Sequence, residues 1–511
     1  MTIESVEARR IVLQAALDAG KSPAERNRLG QFATPFALAR DIVTSSLGML
    51  SPDQPVRFLD PAIGTGAFYS ALRATLPAER IAEAAGFEID PHHGHSTAAL
   101  WATTPLRLAI ADFTTATPPP DGGLATLVVC NPPYVRHHHL SRDDKARLRQ
   151  AAEEASGIRM AGLAGLYTYF LTLSHAWMAD DGVAAWLIPS EFMDVAYGEP
   201  VKRYLLSRVT LTRIHRFDPG DVQFGDALVS SAVVWFRRAP PPPGHEVAFT
   251  FGGSLATPQV RRKVAARDLV EETKWTRHPL GPPRRSETGP VLGDFFRIQR
   301  GLATGDNRFF IMTREAAAAR GLPDQVLVPV LPSPRHLPET EIAADLEGHP
   351  LITRPLVLLD CRLAEAEVRT RHPALWAYLQ SGVPHVSGRY LCAHRTPWYA
   401  QETRAAAPFV CTYMGRTGSG GRTGSAPFRF ILNRSRATAA NVYLLMYPKP
   451  QLQAALDAHP GLDRRVWEML RTIGPEDLMG EGRVYGGGLY KLEPKELARV
   501  EGGGIAALLT P

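Results

Sequence analysis

Four short apolar runs within the first 130 residues each stop on a polar side chain, and a chain patterned this way has few folds open to it. Phe58-Leu59 ends on Asp60, a second run ends in Phe87-Glu88, the stretch 106–110 ends in Ala111-Asp112, and Leu127-Val128-Val129-Cys130 ends on Asn131. Runs of this length suit strands buried on both faces, and the segments between them have room for helices. The pattern predicts an α/β fold with a mostly parallel sheet whose ligands collect outside the carboxyl ends of the strands.

The endings themselves carry chemistry. After Asp60 comes Pro61-Ala62-Ile63-Gly64-Thr65-Gly66, a glycine turn that opens a helix near Ala67. Gly64 and Gly66 let backbone N–H groups approach a ligand, but the third glycine of a dinucleotide-binding turn is missing and Asp60 would repel a phosphate. An acid there suits a ligand with an ammonium group and a positive sulfonium, which describes S-adenosylmethionine. Glu88 lies 28 residues after Asp60, close to the distance at which nucleotide folds place a carboxylate on the ribose hydroxyls. Asp112 could accept from an adenine amine, and Phe113 could cover the ring.

Asn131-Pro132-Pro133-Tyr134 completes the set. Two carbonyl acceptors, a stiff proline and a flat ring suit a planar exocyclic amine: Asn131 Oδ1 and the Pro132 carbonyl take its two hydrogens, and Tyr134 stacks on its base.

Read in order, Gly30-Gln31-Phe32-Ala33-Thr34-Pro35, the glycine turn, Glu88, Asp112-Phe113 and the tetrapeptide resemble motifs X, I, II, III and IV of the γ-class, TaqI-like DNA adenine-N6 methyltransferases. Residues 165–170 resemble motif V and residues 182–189 the next strand, while Asp221-Val222-Gln223-Phe224 followed by residues 229–236 resembles motif VIII. The resemblance covers most of residues 20–240 and continues more loosely over 292–497. It implies a Rossmann-like, seven-stranded methyltransferase sheet and a C-terminal α+β DNA-recognition domain. S-adenosylmethionine is the implied methyl donor and double-stranded DNA the implied partner, in a restriction-modification or related defence system with a cognate endonuclease. Asn131, Pro132, Tyr134 and Phe224 are the implied catalytic residues, the two rings holding a flipped adenine. Thr34, Asp60, Ala62, Gly64, Gly66, Glu88, Asp112 and Phe113 are the implied donor-binding residues.

Composition agrees with this scale. At 511 residues, with 45% hydrophobic and 21% charged content, the chain has room for two or three domains. Its four cysteines, Cys130, Cys361, Cys392 and Cys411, lack metal-ligand spacing, and Glu4, Glu7, Arg9 and Arg10 occupy the place of a signal peptide's apolar core. No run approaches the ~20 apolar residues of a membrane span. A cytoplasmic protein is expected.

Charge and proline content suggest the boundaries. Residues 1–240 hold 23 Lys and Arg against 25 Asp and Glu, whereas residues 241–511 hold 34 against 26, so the C-terminal half is expected to face phosphate, the alternative being that the excess serves only solubility. Arg237-Arg238 followed by four prolines from Pro240 to Pro243 ends the first domain, because a proline run does not continue a sheet. The expected division is a catalytic domain at 1–240, a linker or crossing segment at 241–290, and a target recognition domain at 291–511. The last opens with a stretch containing Arg300 and Arg308, expected to bind DNA. A repeated Gly-Arg-Thr-Gly-Ser within 415–425 reads as a basic loop presenting Arg416 and Arg422 to phosphates or base edges, or simply as a loop tip. His137, His138 and His139 are adjacent and cannot readily converge on one ion, so they read as a solvated loop and no metal is expected.

Two local elements follow from spacing. Thr34-Pro35 has the cap and first-turn chemistry of a helix containing Leu38, Ile42 and Val43, and Leu166, Phe170, Leu173 and Trp177 recur as one buried helical face.

Other functions fit parts of the pattern. The tetrapeptide also occurs in methyltransferases of RNA adenine and of protein glutamine, although those resemble only the first domain, and cytosine N4 offers the same amine geometry. Pro475-Glu476-Asp477 with Glu493-Pro494-Lys495 weakly mimics a metal-dependent nuclease signature. A DNA-binding protein that had lost the chemistry would not need both the glycine turn and the tetrapeptide.

Overall fold

The computed structural model of the protein describes residues 2–22, 25–26, 29–218, 221, 223, 230–279, 289–416, 427–485 and 488–509. The chain divides into two compact units, one of residues 1–282 with 485–487 and the other of residues 283–484 with 488–511.

The first unit is built on one sheet. Its strands are β1 (Val56–Asp60), β2 (Ile81–Glu88), β3 (Leu106–Ile110), β4 (Ala125–Cys130), β5 (Met178–Pro189), β6 (Thr210–Arg216), β7 (Ser231–Arg237), β8 (Glu246–Gly253) and β9 (Pro258–Ala265). They lie in the order β3-β2-β1-β4-β5-β7-β6-β8-β9. β1 to β5 run parallel, β7 enters antiparallel between β5 and β6, and β8 returns parallel to β6 before β9 closes the edge antiparallel. Every residue of β4 is buried, as expected of a central strand covered on both faces, whereas β3 and β9 alternate as edges do.

Nine strands replace the seven expected, and the difference lies in residues 241–290. The four prolines occupy only the connection. Beyond them β8 pairs with β6 from Arg213 opposite Ala248 to Arg216 opposite Phe251, satisfying backbone groups that a sheet ending at β6 would leave open. Trp275, fully buried, packs edge-on against Phe249 of β8. The sheet therefore extends well past residue 240.

Helices form where the spacing places them. The glycine turn opens the helix Ala67–Thr75, and Leu38, Ala39, Ile42 and Val43 are the inner face of the helix Phe36–Leu47. Leu166–Leu173 is helical and passes into a 3-10 turn, Ser174–Trp177, with Phe170, Leu173 and Trp177 buried.

The second unit is α+β. One sheet runs Phe296–Arg300, Tyr443–Pro448, Phe409–Thr412, Phe430–Asn433, Glu341–Ile342, and another Ile311–Thr313, Leu356–Leu359, Leu327–Leu331, Thr438–Ala439. Separate hydrophobic clusters pack against them, one around Trp467 and Phe430 and another around Phe310 and Tyr399.

Candidate active site

The parallel register brings the polar endings to one edge. Gly86 of β2 lies opposite Asp60 of β1, and Ile110 of β3 opposite Glu88 of β2. β1 also pairs with β4, so the strand order reverses between them, and Asn131 follows directly at that switch point. The Cys130 thiol lies beside the Asp60 carboxylate and favours its charged form, which brings the first acid next to the residue that precedes the tetrapeptide.

The glycine turn is fastened on its carbonyl side. Gly64 and Gly66 have φ of 55° and 87°, in the left-handed region that favours glycine. The Thr97 hydroxyl donates to the Gly64 carbonyl at 2.8 Å and the Trp101 indole to the Thr65 carbonyl at 3.0 Å. A Cβ on Gly66 would stand 2.6 Å from the Trp101 indole nitrogen, whereas one on Gly64 would enter open space. The turn thus backs onto Trp101 and leaves a cradle at Gly64.

Asn131 is oriented by a segment 97 to 99 residues upstream. Its amide nitrogen donates to the Phe32 carbonyl at 2.9 Å and the Thr34 hydroxyl at 3.1 Å. A backbone carbonyl only accepts, so the nitrogen must face Phe32 and the oxygen must face away. Asn131 Oδ1 is buried without a hydrogen-bond partner. Leaving such an acceptor unsatisfied costs ~1–3 kcal/mol, so the site is poised for an N–H donor. Thr34 is therefore not the cap of its helix, a position held by Pro35 with no side-chain hydrogen bond; its hydroxyl steers Asn131 instead. Tyr134 is pinned as well: its hydroxyl donates to the Leu187 carbonyl at 3.0 Å, and its ring lies 5.6 Å from Phe32, tilted by 43°.

A model of the C-terminal domain of type II methyltransferase M.Eco57I matches residues 283–502, and the Eco57I restriction-modification methylase model matches residues 125–223. The type II methyltransferase M.XamI of Xanthomonas campestris pv. amaranthicola is 28% identical over 486 residues, covering 93% of this chain and 85% of the relative. M.AccI of Acinetobacter calcoaceticus is 25% identical over 493 residues, covering 92% and 85%. The protein is a DNA methyltransferase, similar over most of its length to restriction-modification enzymes. Among solved structures, the fold is similar to the type IIL restriction-modification enzyme MmeI in complex with DNA, with a TM-score of 0.50 and 12% identity over 82% of this chain and 60% of that one. The DrdV–DNA complex has a TM-score of 0.50 and 14% identity, covering 88% and 54%. The methyltransferase thus spans little more than half the length of those two chains.

The methyl donor of the methyltransferase is S-adenosylmethionine, and the residues present fit it. Asp60 is buried, and burial pushes its carboxyl up to about 7, against the Ala62 N–H and the Cys130 thiol, which favour the charged form. A buried acid held near neutrality is stabilised by an ammonium group. Burial also raises the Glu88 carboxyl, which accepts the Asp90 N–H at 2.8 Å. Ala62 contributes its backbone N–H to Asp60 at 3.1 Å. Asp112 spends one oxygen on the Thr114 N–H and hydroxyl, both at 2.8 Å, while its other oxygen lies 3.8 Å from Arg147. Phe113 departs from expectation: it is 2% exposed and surrounded by Phe87, Phe170 and Trp177 at 5.3–5.4 Å, so its faces serve the core rather than an adenine ring.

The other expected site residues fall elsewhere. Phe224 and Arg422 lie outside the described residues. In the second unit, Arg300 lies 4.1 Å over the Tyr413 ring and donates to the Asn441 carbonyl, and Arg416 is exposed at the end of the strand Met414–Arg416. Arg308 lines a cavity of about 440 Å3 with Thr304, Gly305, Asp306, Asn307 and Arg389. Arg389 pairs with Asp306 at 2.9 Å, and Arg395 anchors the loop through the Ala303 and Thr304 carbonyls at 2.6 and 2.8 Å. Sequence reading missed Phe32, whose carbonyl acts without its side chain, and Gly30, whose role needs a neighbour distant in sequence. The motif-like stretch from Gly30 to Pro35 was the signal for both.

Proposed function

We propose that the methyltransferase modifies the N6 amine of an adenine turned out of duplex DNA, and the partnerless Asn131 Oδ1 is the observation that carries this reading. A ring-conjugated amine is a weak nucleophile because its lone pair is delocalised. Asn131 Oδ1 and the Pro132 carbonyl accept its two hydrogens, favour a pyramidal nitrogen and aim its lone pair at the methyl carbon. When bound, S-adenosylmethionine supplies that methyl group activated by a sulfonium. Asp60 takes its ammonium group, the Gly64–Gly66 turn and Ala62 line the amino-acid end, Glu88 takes the ribose hydroxyls, and Asp112 the adenine amine through its second oxygen. Thr34 acts on Asn131 rather than on the donor. Tyr134 and Phe224 hold the extruded base between their rings, offsetting a flipping cost of a few kcal/mol.

The second unit, from residue 283, is the target recognition domain in this reading. Its support is the excess of basic residues over 241–511 and the anchored loop that presents Arg308. Arg300, Arg416 and Arg422 are further candidates for DNA contact. Methylation of one sequence context protects the cell's own DNA from a cognate endonuclease, which places the enzyme in the cytoplasm beside the chromosome.

Expression of the parent and of Asn131→Ala in a methylation-free host, followed by modification-sensitive sequencing, tests the proposal. N6-methyladenine in one context is expected for the parent, with transfer by the variant reduced about a thousandfold while S-adenosylhomocysteine still binds. Methylation of cytosine N4 would reassign the base, and near-normal transfer by the variant would remove Asn131 from its role.

A further inference from the structure

The N-terminal helix Ile3–Ala19 docks in an unusual way. Helices held by packing bury aliphatic side chains, yet this one leaves Ile11 and Val12 at 52% and 70% exposure. Of its four buried residues, Val6, Glu7, Arg10 and Leu17, two are charged. What the inner face offers is a hydrogen-bonded relay aimed at the glycine turn. Arg10 donates Nε and Nη2 to the two Glu7 oxygens at 2.8 and 2.7 Å, and Nη1 to the Thr65 hydroxyl at 3.0 Å. The Thr65 hydroxyl donates onward to Gln14 Oε1 at 2.7 Å, and the Ser70 hydroxyl donates to Glu7 at 2.6 Å. Thr65 both accepts and donates, so its orientation is determined from two sides.

Beyond the helix the same segment is tied down again. Lys21 Nζ donates to Asp90 at 2.5 Å and to Gln31 Oε1 at 2.9 Å, and Asp90 in turn gives its N–H to Glu88. Residues 3–21 therefore reach both the turn after β1 and the acidic ending of β2.

We infer that this segment is part of the methyl-donor site, with Glu7, Arg10 and Gln14 as positioning residues that hold Thr65 between Gly64 and Gly66. The inference rests on the reading that the donor occupies the glycine turn. A buried ion pair adds little net stability, because desolvating both charges offsets most of their attraction, but it enforces one geometry. Here the geometry is that of the turn: Thr97 and Trp101 take its carbonyls from one helix, while Arg10 and Gln14 grip its only side-chain hydroxyl from another. Without the second grip the turn keeps its glycines but not a single arrangement of its N–H groups, and the donor must order them on binding.

The test uses the full chain and S-adenosylhomocysteine, titrated calorimetrically without DNA. Thr65→Val keeps the volume and removes both hydrogen bonds, and it is expected to weaken binding about tenfold, whereas Thr65→Ser stays within about threefold of the parent. Arg10→Met is expected to weaken binding in the same direction, with the double variant no weaker than Thr65→Val alone, because the Arg10–Thr65 contact is already lost in that variant. In turnover the loss concentrates in donor KM. Parent-like binding by Thr65→Val, failure of serine to restore it, or a lowered thermal midpoint with unchanged affinity would each make the helix a plain structural anchor and overturn the inference. Asp60→Asn separates the two levels: if that variant binds S-adenosylhomocysteine as the parent does, the donor is not at the turn and the underlying reading fails. If Asp60→Asn loses affinity while Thr65→Val does not, only the inference fails.

Discussion

Two groups at the strand ends stand out at the scale of single residues. Asn131 Oδ1 is an acceptor without a donor, and the Asp60 carboxyl is a buried acid with its pKa raised to about 7. The second makes a prediction with a definite sign. An unfolded Asp releases its proton near 3.8, so between that value and 7 the folded protein holds a proton that the unfolded chain does not. Stability of the donor-free protein should therefore fall as pH rises through this window, by up to about 4 kcal/mol from this group, and Asp60→Asn should remove that slope in denaturation series at pH 4 to 8. Donor affinity should move the other way. An ammonium group favours the ionised acid, so S-adenosylhomocysteine should bind up to about tenfold more tightly per pH unit up to 7 and level off above it. A flat profile between pH 5 and 8 in the parent would rule Asp60 out as the ammonium partner.

At the scale of elements, the segment before the helix Phe36–Leu47 and the tetrapeptide behave as one piece. Gly30, at φ 67°, accepts the Tyr134 N–H at 3.3 Å, and a Cβ there would stand 2.4 Å from the Tyr134 nitrogen. Two backbones in contact cannot yield as a side chain can. Gly30→Ala combines left-handed strain with that clash and is expected to cost about 2 kcal/mol or more of stability. It should also depress methyl transfer more than donor binding, since displacement of the segment carries off the Phe32 carbonyl that orients Asn131. Calorimetric melting and a labelled-methyl assay check both effects; parent-like values in each would mean that the segment can shift without cost.

On the scale of the whole molecule, the division of labour is that of a donor-binding sheet and a second unit with excess positive charge. If Arg308 meets a backbone phosphate, Arg308→Ala should weaken DNA binding about equally for all sequences and lower the slope of log affinity against log salt by about 0.9. Fluorescence anisotropy on target and scrambled duplexes distinguishes the alternatives. An unchanged slope with loss confined to the target duplex would make Arg308 a reader of bases instead.

Much of this was legible beforehand, and the reason is local. Strand interiors, acid endings, the glycine turn and the helix faces each depend on a few consecutive residues, so Asp60, Glu88 and Asn131 could be named and ordered from spacing alone. Phe113 could not be placed, because whether a ring covers a ligand or fills the core depends on Phe87, Phe170 and Trp177 arriving from other elements. The proline run misled for a similar reason: it stops local pairing, but only the open edge of β6 shows that two more strands have somewhere to go. The chain by itself thus determined which chemistry sits at the carboxyl ends of the first four strands. The tertiary structure decided which atoms are left without partners there and which distant side chains hold them still, because hydrogen bonds spanning 55 to 99 residues, such as Arg10 to Thr65 and Asn131 to Phe32, have no periodicity to announce them.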